Sequence, residues 1–252
     1  MTTMQENILL ITGASRGIGA ATARLAAQRG YAVCINYLRN RDAADALVRE
    51  IVLAGGRAIA VAGDVAREDD VMNMFKAVDA AFGPLTALVN NAGILHHHMR
   101  LDRMDAARLN SVFATNITGS FLCAREAVKR MSTRYGGKGG AIVNLSSAAS
   151  RLGSPNEYID YAASKGAIDT FTIGLAKEVA DEGIRVNAVR PGIIRTEIHA
   201  SGGEPDRVER LKDSVPMKRG GDADEVARAI LWLLSDEASY TTGSFIDVSG
   251  GR

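Results

Sequence analysis

The sequence of 252 residues has little cysteine, little proline and few aromatic residues: two Cys, five Pro and 5% Phe, Trp and Tyr together. Cys34 and Cys123 cannot form a disulfide framework, and both lie in apolar stretches typical of core thiols. No Pro- or Ser-rich stretch indicates a domain linker. We therefore expect one domain over residues 1–252 and a reducing, cytoplasmic location.

The chain also has no excess of charge of one sign and no long hydrophobic run. Thirty basic residues face 29 acidic ones, and this net charge of +1 gives no reason to expect nucleic acid or acidic lipid as a partner. The first apolar run, residues 8–11, is too short for a signal peptide or a membrane span. A hydrophobic fraction of 46% excludes a disordered chain.

Short apolar, β-branched segments alternate with longer helical segments along the whole chain. Strands are predicted at residues 7–12, 31–37, 57–64, 85–90, 141–146, 185–189 and 244–248. Several are continuously hydrophobic, as strands buried on both faces of a parallel sheet are. The alternation predicts an α/β, single-domain, Rossmann-type doubly wound fold, in which helices cover both faces of a seven-stranded, mostly parallel sheet.

Four helical segments stand out between these strands. They are residues 42–54, starting at a capping-type Asp42, residues 68–82, residues 223–234, and a long stretch over 111–134 interrupted at Gly119. Residues 200–212 are polar and contain a glycine pair, so we expect this segment to be mobile. It is either a lid over a site or a solvent-exposed loop and helix.

A glycine-rich turn follows the first predicted strand, where residues 12–19 read Thr-Gly-Ala-Ser-Arg-Gly-Ile-Gly. Glycines at a strand-to-helix turn let the backbone approach a pyrophosphate, which the positive end of the helix attracts. The spacing Gly-x-x-x-Gly-x-Gly differs from the Gly-x-Gly-x-x-Gly pattern of many dinucleotide folds. Ordinary turn chemistry is the alternative interpretation.

The end of the second strand carries no carboxylate before Asp42, although folds that prefer NAD usually place an acidic residue there. Arg16 in the glycine turn and Arg39 or Arg41 after the strand are suited to a 2′-phosphate. We therefore favour NADP(H) over NAD(H). The alternative is that these arginines form only a solvated rim.

Tyr161 and Lys165 are four residues apart on one face of a predicted helix. A phenol has an ordinary pKa of about 10, so it serves as a base near neutral pH only beside a stabilising cation. Tyr158 is followed at the same spacing by Ala162 and has no such cation. Taken alone, the Tyr161–Lys165 pair also fits an ordinary helix surface.

In combination these motifs resemble the short-chain dehydrogenase/reductase family along nearly the whole chain. The residues that carry the resemblance are the turn at 12–19, Asp64-Val65, Asn-Asn-Ala-Gly at 90–93, the set Asn116, Ser147, Tyr161 and Lys165 in order, and Pro191-Gly192 followed by Thr196. Through Tyr158-Ile159-Asp160-Tyr161 and His199-Ala200-Ser201-Gly202-Gly203, the sequence is also similar to the bacterial glucose-1-dehydrogenase-like group, which includes members without an assigned substrate.

The resemblance implies a role for each residue of the catalytic set. Tyr161 exchanges a proton with the substrate oxygen, and Lys165 lowers the pKa of Tyr161 and binds the nicotinamide ribose. Ser147 orients the substrate oxygen, although Ser146 competes for this role. Asn116 holds a water that relays protons from Lys165, or alternatively is a structural residue beside Gly119.

The resemblance also implies a cofactor-binding set and places Asp64 at the adenine and Asn90 and Gly93 beside the ribose. The set is Gly13, Ser15, Arg16, Gly17, Ile18, Gly19, Tyr37, Arg39, Asp64, Val65, Asn90, Ala92, Gly93, Tyr161, Lys165, Pro191, Gly192, Ile194 and Thr196. The implied activity is NAD(P)(H)-dependent hydride transfer to or from a small-molecule carbonyl or secondary alcohol. A dinucleotide-sensing protein without catalysis is the alternative.

Two further expectations concern metal and assembly. Three consecutive histidines, residues 96–98, cannot all face one ion on regular structure, so we expect loop or pocket-wall residues and no metal. Residues 193–215 are the candidate substrate-loop region. By resemblance, the helix with Trp232 and the final strand form the interface of a homotetramer, or of a dimer.

Overall fold

The computed structural model describes residues 7–252. Over that range the strands are β1 Ile8–Ile11, β2 Ala32–Tyr37, β3 Arg57–Ala62, β4 Ala87–Asn90, β5 Gly140–Leu145, β6 Ile184–Pro191, β7 Ile194–Arg195, β8 Gly221–Asp222 and β9 Phe245–Val248. Seven of them form one sheet in the order β3-β2-β1-β4-β5-β6-β9, and β7 pairs with β8. Every pairing in the seven-stranded sheet is parallel, which confirms the predicted doubly wound sheet.

The helices cover both faces of this sheet. They are α1 Gly17–Gln28, α2 Arg41–Leu53, α3 Glu68–Phe82, α4 Ala106–Phe113, α5 Gly119–Met131, α6 Ala149–Leu152, α7 Ile159–Glu178, α8 Ile198–Ser201, α9 Arg207–Leu211 and α10 Ala223–Leu234. Short 3₁₀ turns lie at Leu101–Arg103, Thr133–Tyr135, Ala180–Glu182, Lys212–Ser214 and Asp236–Ala238.

The alternation of side chains along β1 divides the core into two layers. Leu9 and Ile11 pack in a cluster with residues of α1, α2 and α10, whereas Ile8 and Leu10 pack with residues of α3, α5 and α7. Successive residues of a strand point to opposite faces, so each face of β1 is covered by its own helices. Each large side chain fully buried in this way contributes about 1.5–3 kcal/mol.

Two of the predicted helix boundaries are wrong. The second helix begins one residue earlier than predicted, and its N-cap is Asn40, whose side chain accepts from the N–H of Ala43 at 3.0 Å. Gly119 does not interrupt its helix: its backbone is helical, and it follows a π-helical turn over Ala114–Thr118. A Cβ on Gly119 would lie 2.7 Å from Val65 Cγ2, so the glycine serves close packing.

The segment expected to be mobile, residues 200–212, lies mostly in α8 and α9. Arg207 is 7% exposed and forms ion pairs with Glu157 and Glu204. The pair with Glu157 links α9 to the loop that precedes α7. The sequence also did not indicate the β7–β8 ribbon, whose two-residue strands are too short to show a pattern.

The strand order reverses at β1, which has β2 on one side and β4 on the other. Ligands of open α/β sheets bind at the carboxyl ends of the strands beside such a switch point. The glycine-rich turn follows β1 and the Asn-Asn-Ala-Gly segment follows β4, so the sheet brings both motifs to this crevice. No helix within residues 7–252 is both long and apolar enough to span a bilayer.

Candidate active site

The glycine-rich turn is shaped for close backbone contact. Gly13 and Gly17 have φ values of +61° and +56°, which L side chains rarely adopt. A Cβ on Gly13 would lie 2.9 Å from the Cα of Ala92. Helix α1 then starts at Gly17 with no side-chain cap and no acidic residue in its first turn. Its first N–H groups therefore suit an anion such as a pyrophosphate.

Two asparagines and a threonine hold this turn in place. Asn36, at the end of β2, accepts from the N–H of Gly13 at 3.0 Å. Asn91 donates to the carbonyl oxygens of Thr12 and Gly13 at 2.8 and 3.0 Å. The Thr12 hydroxyl accepts from the N–H groups of Asn91 and Ala92. The loops after β1 and β4 are thereby fixed to each other.

A cavity of about 450 Å³ opens beside the turn. Ile18, Gly93, Pro191, Gly192, Ile194 and Thr196, all in the expected cofactor set, line it together with Ser147, Tyr161 and Lys165. Thr196 also lies against the glycine turn, since a Cβ on Gly17 would be 3.4 Å from its Cβ. The cavity thus joins the expected phosphate end to the expected chemical end.

Tyr161 and Lys165, one turn apart on α7, converge at this cavity. The Lys165 Nζ atom lies 5.4 Å from the centroid of the Tyr161 ring and donates to the carbonyl oxygen of Leu145 at 2.6 Å. The Ser147 side chain hydrogen-bonds the Tyr161 hydroxyl. Ser146 is 3% exposed and its hydroxyl donates to the carbonyl oxygen of Lys165. Of the two competing serines, Ser147 is therefore the one at the tyrosine.

Burial changes the pKa values of both side chains. It raises the pKa of Tyr161 to about 12, and the hydrogen bond from Ser147 opposes the rise. It lowers the pKa of Lys165 to about 8. The expectation that Lys165 lowers the pKa of Tyr161 therefore does not hold for the polypeptide alone, where desolvation of the phenol outweighs other effects.

Asn116 lies in the π-helical turn between α4 and α5. Its Oδ1 accepts from the N–H of Ile94 at 2.8 Å, and its Nδ2 donates to the carbonyl oxygen of Ile94 and to Ser164 Oγ. A Cβ on Gly93 would lie 3.5 Å from Asn116 Oδ1 and 3.7 Å from Lys165 Nζ. The two side chains thus approach the same glycine. Such π-turns occur frequently at functional sites.

Comparison with known proteins supports the functional interpretation of this crevice. Residues 13–252 match the family model described as enoyl-(acyl carrier protein) reductase. The chain is 61% identical over 245 residues to the uncharacterized oxidoreductase YgfF of Escherichia coli strain K12, covering 97% of this chain and 99% of the relative. It is 40% identical over 252 residues to a 3-oxoacyl-(acyl-carrier-protein) reductase of Synechocystis, covering 100% and 98% of the two chains.

Solved structures agree with these sequence matches. A dehydrogenase/reductase from Sinorhizobium meliloti 1021 superposes with a TM-score of 0.90 at 31% identity, covering 98% of this chain and 95% of the other. A double mutant of a Serratia marcescens short-chain dehydrogenase/reductase gives 0.89 at 30% identity, with 98% coverage of both chains. The chain belongs to the short-chain dehydrogenase/reductase family. Membership indicates NAD(P)-dependent oxidoreduction.

Several residues of the expected cofactor set lie where their side chains serve the fold of this family member. Asn90 is 4% exposed, and its amide donates to Asn144 Oδ1 at 2.9 Å, so its side chain is engaged inside the fold. The Asp64 carboxylate accepts from the N–H of Ala66 at 2.9 Å. Val65 packs on Gly119 in the core. Tyr37 is half-buried at the end of β2, against the core.

The arginines expected at a 2′-phosphate lie on the surface. Arg16 is exposed, and its Nη2 donates to Ser201 Oγ of α8 at 3.2 Å. Arg39, two residues beyond β2, is also exposed. Ser15, which precedes Arg16 in the glycine turn, is half-buried. The side chain of Arg16 therefore contacts the substrate-loop region, and the structure does not bring Arg16 and Arg39 together around one site.

Sequence reasoning missed an ion pair that supports Tyr161. Asp160 is 3% exposed; its carboxylate accepts from Arg108 Nε at 2.7 Å and from the N–H of Tyr161 at 2.9 Å. Arg108 also donates to the carbonyl oxygen of His97 at 2.6 Å. The pair ties the start of α7 to α4 and to the histidine loop. An acidic residue in the first turn of a helix was the available signal.

The three histidines contact three different neighbours. His96 Nε2 lies 3.4 Å from Ser111 Oγ, and His98 Nδ1 lies 4.0 Å from Glu204 Oε1. The His97 ring lies over Gly203, where a Cβ would approach its Nδ1 to 2.4 Å. Among the residues from 7 onward, no group of three or more His, Cys, Asp or Glu side chains is arranged to hold a metal ion.

Replacing Gly19 by Ala tests the glycine turn. We expect weaker cofactor binding and a loss of about 1–3 kcal/mol in the free energy of unfolding, because the added Cβ would lie 2.7 Å from the Cα of Ala14. Cofactor titration and urea denaturation measure the two effects. Gly174→Ala is the matched control, since its Cβ would meet no atom within 4 Å. Equal behaviour of the two variants would contradict the prediction.

Proposed function

We propose that this protein is an NADP(H)-dependent oxidoreductase that interconverts a carbonyl and a secondary alcohol, with Tyr161 as general acid and base. The observation that carries the proposal is the convergence of Tyr161, Ser147 and Lys165 on the cavity that also borders the glycine-rich turn. The residues fit a dinucleotide, because α1 begins beside the cavity without a side-chain cap or an acidic residue in its first turn, and its free N–H groups suit a pyrophosphate. When bound, the cofactor supplies or accepts the hydride at its nicotinamide ring.

Tyr161 is protonated at neutral pH, which is the form that carbonyl reduction needs. With a pKa raised to about 12, its phenol keeps its proton at neutral pH. In reduction, the carbonyl carbon accepts the hydride and the C=O π pair moves onto oxygen, which takes the Tyr161 proton. The Ser147 hydroxyl, already at the Tyr161 oxygen, orients the carbonyl oxygen. In alcohol oxidation the same proton returns to the phenolate, so that direction is favoured by higher pH.

Lys165 restores the proton that Tyr161 gives up. Its pKa of about 8 is close to neutral pH, so its ammonium readily yields a proton to a phenolate. Asn116 Oδ1 and Lys165 Nζ lie 3.5 and 3.7 Å from the same built Cβ of Gly93. In this proposal a water held by Asn116 relays protons between Lys165 and solvent. In this proposal Asp160 is a positioning residue, because it binds the N–H of Tyr161.

A spectrophotometric screen separates the proposed enzyme from a dinucleotide-sensing protein. NADPH oxidation is followed with ketones, aldehydes, oxo acids and 3-oxoacyl thioesters, the last being the substrate class in the name of the Synechocystis relative. The reverse reaction is followed with secondary alcohols. Turnover of at least one pair supports the proposal, whereas tight cofactor binding with no turnover in either direction favours the sensor.

The preference for NADP(H) is proposed from Arg16 and Arg39. Replacing Arg39 by Ala is expected to raise the KM for NADPH by about 10- to 100-fold, because a charge-assisted hydrogen bond to the 2′-phosphate would be lost. The KM for NADH should stay unchanged, since NADH has no such phosphate. Arg29→Ala, an exposed arginine at the far end of α1, is the control. An equal change for both cofactors would contradict the proposed phosphate contact.

Assembly and location are also proposals. The α10 helix carries Trp232, which is 37% exposed, and Tyr240 nearby is fully exposed. Apolar surface of this kind supports a homotetramer or dimer formed through α10 and β9. Burial raises the pKa of both cysteine thiols to about 12, so they stay protonated and unreactive. This is compatible with a cytoplasmic protein.

A further inference from the structure

Arg252 brings a positive charge without a partner to the cavity of Tyr161. Its side chain is one of those that line the cavity, and its Nη1 atom is buried without a hydrogen-bond partner. No salt bridge links this guanidinium to any carboxylate in the part of the chain from residue 7 onward. Arginine stays protonated in proteins, so it cannot avoid this charge by losing a proton. The residue as a whole is half-buried, so the unmet hydrogen-bonding capacity lies at the Nη1 end of the guanidinium.

The main chain around Arg252 is well held, so the free side chain is not the result of a loose segment. The N–H of Arg252 donates to the carbonyl oxygen of Ser249 at 3.3 Å, and the Ser249 hydroxyl donates to the carbonyl oxygen of Arg252 at 3.0 Å. Gly251 packs against Pro216, with 3.1 Å between a built Cβ and the Pro216 Cβ. The segment after β9 therefore delivers Arg252 to the cavity wall.

Three acidic residues near the cavity are already paired. Glu157, which lines the cavity, accepts from Arg207 and lies 3.5 Å from Arg210. Glu204 pairs with the same two arginines. Two carboxylates and two guanidiniums thus form a cluster without net charge. Asp247 of β9 pairs with Arg151 at 3.2 Å. None of these carboxylates neutralises Arg252.

The Nδ1 atom of His199, which is also buried without a hydrogen-bond partner at this cavity, does not bind an anion. His199 Nε2 lies 2.9 Å from the carbonyl oxygen of Ile194, so this nitrogen carries the hydrogen and donates it. Because burial lowers the pKa of His199 and keeps the ring neutral, Nδ1 is an acceptor. The other cations of the cavity wall have partners, since Lys165 donates to the carbonyl oxygen of Leu145 and Arg207 pairs with acidic residues. Arg252 is therefore the cation of this wall that is left for an acceptor with negative charge.

We propose that Arg252 forms an anion subsite in this cavity and that the substrate is a small oxo or hydroxy acid whose carboxylate pairs with Arg252. A guanidinium binds a carboxylate through two parallel N–H···O bonds, which fixes the distance of the reacting carbon from the acid group. The cavity of about 450 Å³ also has to admit the nicotinamide end of the cofactor, so a compact substrate fits it. The inference rests on the proposed oxidoreductase function and narrows its substrate class.

The test compares free acids with their neutral methyl esters. Isothermal titration of the NADP⁺-loaded protein with 2-oxo, 3-oxo and 4-oxo acids and their methyl esters measures binding apart from turnover. We expect at least one acid to bind about 10- to 100-fold more tightly than its ester. Arg252→Met should abolish this difference, and Arg252→Lys should restore part of it. Arg49→Met, at an exposed position of α2, is the matched control.

The outcomes for the inference and for the proposed function are distinguishable. The inference is overturned if no acid binds the wild type more tightly than its ester, or if Arg252→Met keeps the preference while its melting temperature shows that it folds. Turnover of neutral ketones with no preference for acids would retain the oxidoreductase and remove the subsite. Acid binding that depends on Arg252, without turnover of any carbonyl, would remove the oxidoreductase and retain a binding site for acids.

Discussion

Replacing Tyr161 by Phe is expected to lower kcat by about 10²–10⁴-fold, the usual contribution of a positioned general acid or base. The variant keeps the ring but loses the hydroxyl that donates the proton to the substrate oxygen in the proposed reaction. Because the glycine turn and its asparagine supports are untouched, the dissociation constant for NADPH should change by less than about threefold. Stopped-flow or steady-state NADPH oxidation and fluorescence titration of NADPH measure the two quantities.

Tyr158→Phe is the matched control for this prediction. Tyr158 is 3% exposed and lines the same cavity, but its hydroxyl is directed to Glu204 Oε2 at 3.2 Å and has no lysine beside it in the helix. We expect this variant to keep kcat within about tenfold of the wild type. If Tyr161→Phe retained most of the turnover, or if Tyr158→Phe abolished it, the assigned acid and base would be wrong.

Replacing Lys165 by Met is expected to abolish most of the activity and to make the protein more stable at neutral pH. Burial lowers the pKa of Lys165 from 10.5 to about 8, so the folded state holds an ammonium that its surroundings disfavour. This difference between the pKa values of the unfolded and folded states lowers the free energy of unfolding of the wild type by about 3 kcal/mol at pH 7. Met also leaves the carbonyl oxygen of Leu145 without its donor, which offsets part of the gain from removing this cost. We therefore expect a net increase of about 1–2 kcal/mol in the free energy of unfolding of the variant.

The pH dependence of this gain has a definite sign. Below about pH 8, Lys165 is charged in both the folded and the unfolded wild type, and the cost of burying the charge is fully present. Between about pH 8 and 10.5 the unfolded state binds more protons than the folded state, so the stability of the wild type rises with pH. The advantage of Lys165→Met should therefore shrink over this interval.

Urea denaturation at pH 7 and at pH 10 measures this difference. Lys177→Met is the control, because Lys177 is an exposed lysine near the other end of α7. It should show neither the gain in stability nor the loss of activity. A Lys165→Met protein that is less stable than the wild type at pH 7 would show that the ammonium is well compensated in the folded state.

The sequence indicated most of the framework because the framework depends on local pattern. Every strand of the large sheet was predicted within about two residues, since buried parallel strands are continuously apolar. The predictions failed where a neighbour distant in sequence decides the outcome. Gly119 reads as a helix break, but Val65 requires a glycine there. The cofactor role expected of Asn90 stays a prediction, and the structure adds that its amide donates to Asn144 on the neighbouring strand, a contact that the sequence did not indicate.

In the candidate site, too, the features set by local sequence were predicted and those set by distant neighbours were not. The spacing of Tyr161 and Lys165 follows from the period of one helix, so the sequence was sufficient to place them together. The preference for Ser147 over Ser146 came from a resemblance, and its reason becomes visible only in three dimensions, where Ser146 bonds the backbone of α7. Asp160 and Arg108 are 52 residues apart in sequence. The acidic residue in the first turn of α7 was a signal for Asp160, but the sequence did not indicate that its partner is Arg108.

For this protein the sequence by itself determined the doubly wound sheet, the glycine turn and the pairing of a phenol with an amine, because each depends on the repeat of a single helix or strand or on a short motif. Only the tertiary structure decided the direction in which burial moves the two pKa values, the supports of the glycine turn and the position of Arg252 at the cavity. Desolvation and pairing of charges depend on everything that surrounds a group, and those surroundings come from segments far apart in the chain.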